Sequence, residues 1–124
     1  MARKIRITAG PVSAEAELND TRTAQAIWDD LPIKAHGNRW GDEIYFGTSS
    51  RGESENAHDV VEVGDLAFWP PGNALCIFFG PTPASHGSEP RAASPVTVFG
   101  KVIGDATAFR QVASGTEVTI ERAD

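Results

Sequence analysis

The stretch of sequence that decides the fold runs from Leu66 to Phe79 and reads LAFWPPGNALCIFF. Two apolar runs, residues 66–69 and 75–79, lie on either side of the segment PPGN. The two prolines fix the backbone φ angle, and the glycine and asparagine tolerate the reversal of direction that a turn requires. The sequence therefore predicts two paired strands joined by a turn. Because neither run alternates with polar residues, we expect both faces of these strands to be covered.

The residues before this hairpin predict two half-buried strands and one helix. Apolar and polar residues alternate around Ile5 and Ile7 and again from Val12 to Leu18. The segment NDT at residues 19–21 offers side-chain oxygens to the first amides of a helix, and apolar residues then recur on one helical face. We expect this helix to span Thr21–Leu31 and to end at Pro32.

A further strand is predicted after Glu43. The alternation puts Ile44 and Phe46 on the core face, and Glu43 and Tyr45 on the opposite face.

The polar residues 49–58 predict a surface loop. Residues 80–95 are rich in Pro, Ser, Gly and Ala and predict the longest irregular segment, with almost no side chain able to anchor it. Strands near 96–103 and 116–122, with a short helical segment over 106–112, bring the count to about eight strands and two helices.

Length and composition indicate one globular domain, residues 1–124. The formal net charge of -6 argues against binding to nucleic acid, because a phosphate backbone is bound by concentrated basic residues. No apolar run is long enough to span a membrane, and the first residues lack the apolar core of a signal peptide. We therefore expect a cytoplasmic protein with neither a nucleic-acid partner nor a membrane partner.

The sequence shows no pattern typical of a metal or cofactor site. Cys76 is the only cysteine, which excludes an intrachain disulfide and a zinc site built from cysteines, and its apolar neighbours predict a buried, inert thiol. The histidines, His36, His58 and His86, are far apart and have no ligand spacing. Neither a Walker loop nor a dinucleotide-binding glycine motif is present. We therefore expect no metal and no cofactor.

Three motifs resemble those of cyclophilins, β-barrels that isomerise the peptide bond before proline. Residues 98–102 read VFGKV, as a run late in cyclophilins does; residues 74–79, ALCIFF, are similar to their QFFI strand; and residues 64–68, GDLAF, stand where they read GxLSM. The chain is more similar still to a small prokaryotic group of cyclophilin-like proteins, through WGDEIYF at 40–46 and FWPPGNALC at 68–76. The resemblance implies a mainly β fold, a cyclophilin-like closed eight-stranded β-barrel with two short capping helices.

The positions at which cyclophilins carry their chemistry hold other residue types in this chain. Arg39 is the only arginine that can correspond to the one in the cyclophilin FHR motif, and no phenylalanine and histidine precede it. When the two VFGKV runs are aligned, Arg91 and Val96 take the places of the tryptophan and histidine of the proline pocket. Trp69-Pro70-Pro71 replaces a small polar segment and removes two amide donors.

One set of residues is typical of a ligand pocket, because it combines aromatic side chains with a carboxylate on strands that are neighbours in the cyclophilin arrangement. The set consists of Trp40, Tyr45, Trp69, Phe78 and Phe79, with Glu43. Core packing is the competing interpretation of the aromatic residues. An aromatic cleft would favour the acid form of Glu43 by desolvation, so Glu43 is a candidate catalytic residue. Arg39, which can correspond to the cyclophilin arginine, is the other candidate.

These observations support three hypotheses. In the first, the protein is a cyclophilin-like barrel that binds a small molecule or short peptide in the groove corresponding to the cyclophilin proline site. In the second, it is a peptidyl-prolyl isomerase with a reduced site built on Arg39 and Phe78 or Phe79. In the third, it is a structural or partner-binding module whose cleft is filled by Trp69 and residues 80–95. The sequence predicts neither the identity of the ligand nor the oligomeric state.

Overall fold

The computed structural model describes residues 3–49 and 52–123, and these form mainly one antiparallel sheet. Its strands are β1 Arg3–Ala9, β2 Val12–Leu18, β3 Ile33–His36, β4 Asn38–Arg39, β5 Glu43–Gly47, β6 His58–Val60, β7 Asp65–Trp69, β8 Ala74–Phe78, β9 Arg91–Val102 and β10 Glu117–Arg122. The helix α1 spans Arg22–Asp30, and two 3-10 helices span Pro70–Gly72 and Ala106–Gln111. Within the described ranges, no helix is both long and apolar enough to cross a membrane.

The strands pair in the order β3-β10-β1-β2-β9-β7-β8-β5-β4, and β6 pairs with β9 beside this path. The prediction of a mainly β fold is confirmed. The hydrogen-bonded path has two ends, β3 and β4, so the pairing is that of one sheet and not of a closed ring of eight strands. The strand count exceeds the predicted eight because the two-residue strand β4 is separate from β3 and because the short strand β6 begins at His58, the last residue of the segment predicted as a loop.

The helix α1 is confirmed within one residue at each end. Thr21 caps it, because the Thr21 hydroxyl accepts a hydrogen bond from the backbone N–H of Ala24. Ala24 and Ile27 are buried against the sheet. Trp28 is half-buried, with the guanidinium carbons of Arg3 and Arg122 at 5.3 and 4.4 Å from its ring centroid. The helix therefore covers the sheet through two buried apolar residues and one ring that contacts two cations.

The polar segment after β5 is a loop, as predicted, and it is bound to the helix; Ser50 and Arg51 lie outside the described residues. The Glu55 carboxylate accepts hydrogen bonds from the backbone N–H groups of Arg22 and Thr23, each at 3.0 Å. The Glu55 N–H donates to the hydroxyl of Thr97 on β9, also at 3.0 Å. This loop thus satisfies the first amides of α1 and joins the helix to the sheet.

The irregular segment between β8 and β9 does contain anchoring side chains, so the expectation that it lacks them is wrong. The hydroxyl of buried Thr82 donates to the carbonyl of Arg91. The Glu89 carboxylate accepts hydrogen bonds from the backbone N–H groups of His86 and Gly87, both at 2.8 Å. These bonds, that from His86 above all, lower the pKa of Glu89 to about 2. The segment is also shorter than predicted, because β9 begins at Arg91.

The sheet separates a large core from a small one. The large core includes Ile44 and Phe46, as the alternation predicted, and Phe79. The small core lies on the other face of β5, β7, β8 and β9 and consists of Val61, Ala67, Cys76, Phe78, Ala92 and Val96, with Tyr45, Trp69 and Val98 packed against it. The prediction that both faces of β7 and β8 are covered is therefore confirmed.

Candidate functional site

A cleft of about 270 Å³ opens beside the small core. Six residues line it: Trp40, Glu43, Tyr45, Trp69, Ala92 and Ala93. The first four are among the predicted site residues, and the structure brings them together. Phe78 and Phe79 are fully buried and are not among the lining residues; Phe78 lies in the small core and Phe79 in the large core on the opposite face. Sequence reasoning missed the two alanines, because small side chains at the start of β9 carry no chemical pattern.

Strand pairing determines which side chains share this face. In the β5–β8 ladder, Glu43 pairs with Phe78 and Tyr45 with Cys76. Directly paired residues point to the same side of an antiparallel sheet, so these four side chains lie on the cleft side. The carboxyl of Glu43 is thereby placed next to the thiol of Cys76.

Trp69 is held at one wall of the cleft. Its indole N–H donates to the hydroxyl of Ser94 on β9 at 2.7 Å. Its six-membered ring lies against Gly72, where an added Cβ would be only 2.6 Å from Cζ3. Glycine is required at that position because any side chain would displace the ring. Trp69 thus forms a fixed wall and leaves the cleft open.

Glu43 is the chemically distinctive residue of the cleft. Only 6% of the residue is exposed, and its Oε1 atom has no hydrogen-bond partner. Burial raises the pKa of Glu43 to about 7, although a hydrogen bond from the Cys76 thiol acts in the opposite direction. Burial and the neighbouring Glu43 raise the pKa of Cys76 well above its ordinary value, so the thiol stays protonated. Glu43 is consequently a carboxyl that changes charge near neutral pH.

Arg39 does not line the cleft, and its guanidinium group binds other parts of the protein. Its Nε donates to the carbonyl of Gly41 at 3.0 Å, and its Nη1 donates to the carbonyl of Val112 at 2.8 Å. Nη2 forms an ion pair with Asp42 at 3.4 Å, and the guanidinium lies 5.1 Å from the centroid of the Phe79 ring. The structure therefore brings together two residues of the predicted isomerase site, but Phe79 is fully buried and offers a proline ring no surface.

The acidic and sulfur side chains of this region do not form a metal-binding set. Throughout residues 3–49 and 52–123, no group of three or more His, Cys, Asp and Glu side chains is placed to hold a metal ion.

Two comparisons with known proteins find a match. The family model described as "Cyclophilin-like" matches residues 3–121. The solution structure of the hypothetical protein AF2241 from Archaeoglobus fulgidus is 44% identical in sequence and superposes with a TM-score of 0.82, covering 98% of this chain and 95% of that one. No curated protein matches the chain.

Proposed function

The chain belongs to the cyclophilin-like family, and from this premise we propose that it binds a small molecule, or one end of a short peptide, in the cleft described above. The observation that carries the proposal is an open cleft of about 270 Å³ in which three aromatic side chains accompany one buried carboxyl. Apolar walls with a few polar groups are typical of small-ligand sites, which usually start at about 300 Å³. The ligand is therefore small.

Position also supports this cleft as the groove that corresponds to the cyclophilin proline site. The alignment of the VFGKV runs places Arg91 and Val96 at two residues of the cyclophilin proline pocket. Both lie on β9 with the lining residues Ala92 and Ala93: Arg91 directly precedes these alanines, and Val96 follows them on the same strand. The proposal is confined to binding, because Arg39 is occupied by backbone carbonyls and by Asp42 away from the cleft.

A second depression of similar size, about 260 Å³ at the start of α1, is a weaker candidate. Several of its polar groups already bind one another. The Asn19 side chain accepts hydrogen bonds from the amide and hydroxyl of Thr21, and the Arg3 guanidinium donates to the side chain of Gln25. Groups that are satisfied within the protein give a ligand less to gain.

Filling the cleft is expected to abolish binding without unfolding the protein. Ala93 is exposed at the cleft wall, so Ala93→Trp adds bulk there and leaves the cores intact. In a thermal-shift screen of a metabolite panel, a true ligand at a hundredfold its Kd stabilises the wild type by about 2.7 kcal/mol, or roughly 10 °C. We expect Ala93→Trp to lose this shift.

The matched control is Ala113→Trp, which introduces the same side chain at another exposed alanine that does not line the cleft. This variant is expected to keep the shift. A ligand whose shift survives in Ala93→Trp binds elsewhere and would refute the proposed site.

We further propose that the sheet closes into an eight-stranded barrel at Gly37, as the resemblance implies. Gly37 alone separates β3, which pairs with β10, from β4, which pairs with β5. The Gly37 N–H donates to Thr116 at 2.8 Å, and an added Cβ would lie 2.8 Å from Ile44 and 3.1 Å from Val118. These contacts with both neighbouring walls support one bent strand, which brings the count to eight without β6.

Amide hydrogen exchange tests this closure. Exchange at Gly37 is expected to be as slow as at Ile44 on β5 and Val118 on β10, because a closed wall leaves no free edge. Fast exchange confined to residues 33–39 would instead indicate two open sheet edges.

A further inference from the structure

The Oε1 atom of Glu43 is a buried acceptor without a donor. An unsatisfied buried acceptor loses its hydrogen bonds to water and gains none from the protein, and the cost is larger when the group is charged. Glu43 lines the cleft and is only 6% exposed, so a molecule in the cleft lies beside a carboxyl that is nearly closed to bulk water. A ligand that brings a hydrogen-bond donor to this carboxyl would therefore offset part of that cost.

No positively charged group of the described residues, 3–49 and 52–123, forms an ion pair with Glu43. The guanidinium of Arg91, at the start of the strand that forms one wall, is held by Asp59 at 3.1 Å and by Glu89 at 3.2 Å. Its charge is thus balanced by two carboxylates, and the charge of Glu43 stays uncompensated. A cation is the ligand group that would complete this arrangement.

The remaining walls also favour a cation. Trp40, Tyr45 and Trp69 line the same cleft, and aromatic rings attract cations through the negative charge of their faces. They also offer apolar surface to the carbon groups that an organic cation carries. The net charge of -6 attracts cations to the protein over longer distances.

From these observations, and resting on the proposed function, we infer that the ligand is an organic ammonium ion. Its N–H donates a hydrogen bond to the carboxylate of Glu43, and its carbon groups contact Trp40, Tyr45 and Trp69.

The size of the cleft selects the probes for a test. A cavity of about 150 Å³ is sufficient for benzene, so about 270 Å³ accommodates one ring with a short arm. Benzylammonium, benzyl alcohol and benzoate share a ring and nearly the same size, and they carry a positive, a neutral and a negative group. At pH 8 the amine is protonated and Glu43, whose pKa is about 7, is mostly ionised.

The experiment is a titration of the wild-type protein with each probe, followed by NMR of the three tryptophan indole N–H groups. Trp40 and Trp69 line the cleft and report binding. Trp28 lies between Arg3 and Arg122, away from the cleft, and is the internal control. The same titrations are made with Glu43→Gln and with Glu117→Gln, which makes the same change at an exposed position of β10.

We expect benzylammonium to shift the signals of Trp40 and Trp69 and to bind at least about tenfold more tightly than benzyl alcohol, with benzoate weakest. Glu43→Gln is expected to remove this preference, because it weakens the binding of benzylammonium more than that of benzyl alcohol. Glu117→Gln is expected to behave as the wild type. An unshifted Trp28 signal in each variant shows that the fold is retained.

Other outcomes overturn the inference. If benzyl alcohol or benzoate binds as tightly as benzylammonium, or if Glu43→Gln keeps the preference, the ligand is not selected by its charge, although the cleft remains a binding site. If no probe shifts Trp40 or Trp69, the ammonium inference fails, and the proposed function is then judged separately by the panel screen with Ala93→Trp.

Discussion

Truncation of Phe99 to alanine is expected to lower the free energy of unfolding by about 3–5 kcal/mol. Phe99 is 1% exposed and lies in the large core, on the strand that pairs with both β2 and β7. Removal of the ring leaves a cavity that three paired strands cannot close without breaking their hydrogen bonds. Urea denaturation followed by circular dichroism measures the loss.

The control for this prediction is Trp28→Ala, which removes a larger ring from a half-buried position between Arg3 and Arg122. Partial burial and two cation–π contacts together predict a loss of about 2–3 kcal/mol, less than that for Phe99. Equal losses in the two variants would contradict the assignment of Phe99 to the core and of Trp28 to the surface.

Glu43→Gln is expected to stabilise the protein at pH 8 relative to the wild type, by up to about 3 kcal/mol. The fold raises the pKa of Glu43 from 4.5 to about 7, so it disfavours the ionised form. The wild type is therefore most stable, with respect to this group, below pH 4.5; stability falls as the pH rises through 7 and then levels off. Glutamine does not ionise, so the variant avoids this loss.

Denaturation of both proteins between pH 4 and pH 8 provides the test. The difference in stability is expected to be largest at pH 8 and to vanish or change sign at pH 4, where the buried glutamine amide has no advantage over the neutral acid. The Cys76 thiol remains protonated throughout, because its pKa is raised as well. Glu117→Gln, at an exposed position, is expected to show no such trend. If the difference in stability does not vary with pH, Glu43 has the same protonation in the folded and the unfolded protein, and the prediction is wrong.

The buried carboxyl of Glu43 destabilises the protein when no ligand is bound. Buried polar groups that lower stability are retained where function requires them, because selection maintains stability only above a threshold. A bound ammonium ion would supply the missing partner of Glu43 and recover stability by mass action.

The fold was largely predictable because its signals are local. The apolar run from Leu66 to Phe79 contains both strands and their turn, and the alternation after Glu43 assigned Ile44 and Tyr45 to the correct faces. The boundaries of the loop before β9 were not predictable. The early start of that strand depends on its pairing with β6, and Pro95 within it is a poor signal for a strand.

The candidate site was predictable in part, for a related reason. A period of two residues places Glu43 and Tyr45 on one face of β5, and Trp69 ends β7 on the other side of β8, so their proximity follows from the pairing of both strands with β8. The positions of Phe78 and Phe79 relative to the cleft could not be predicted. Both faces of their strand are covered, so the apolar pattern does not distinguish a residue in a core from one that lines a cleft. Arg39 binds the carbonyl of Val112, which is remote in sequence, and no local pattern indicates such a contact.

The order of the strands has a consequence for how the chain reaches this structure. The first strand pairs with the last, β2 pairs with β9, and β3 takes its partner from β10. Pairing of strands that are distant in sequence costs loop-closure entropy before the new contacts compensate for it. Folding is therefore expected on the order of milliseconds to seconds. During synthesis, Ile7 and Ala9 on β1 have no partners until Ile120 and Val118 on β10 emerge. The nascent chain therefore carries an unpaired apolar edge while the residues between β1 and β10 are synthesised. During this time it is exposed to aggregation and is suited to capture by chaperones.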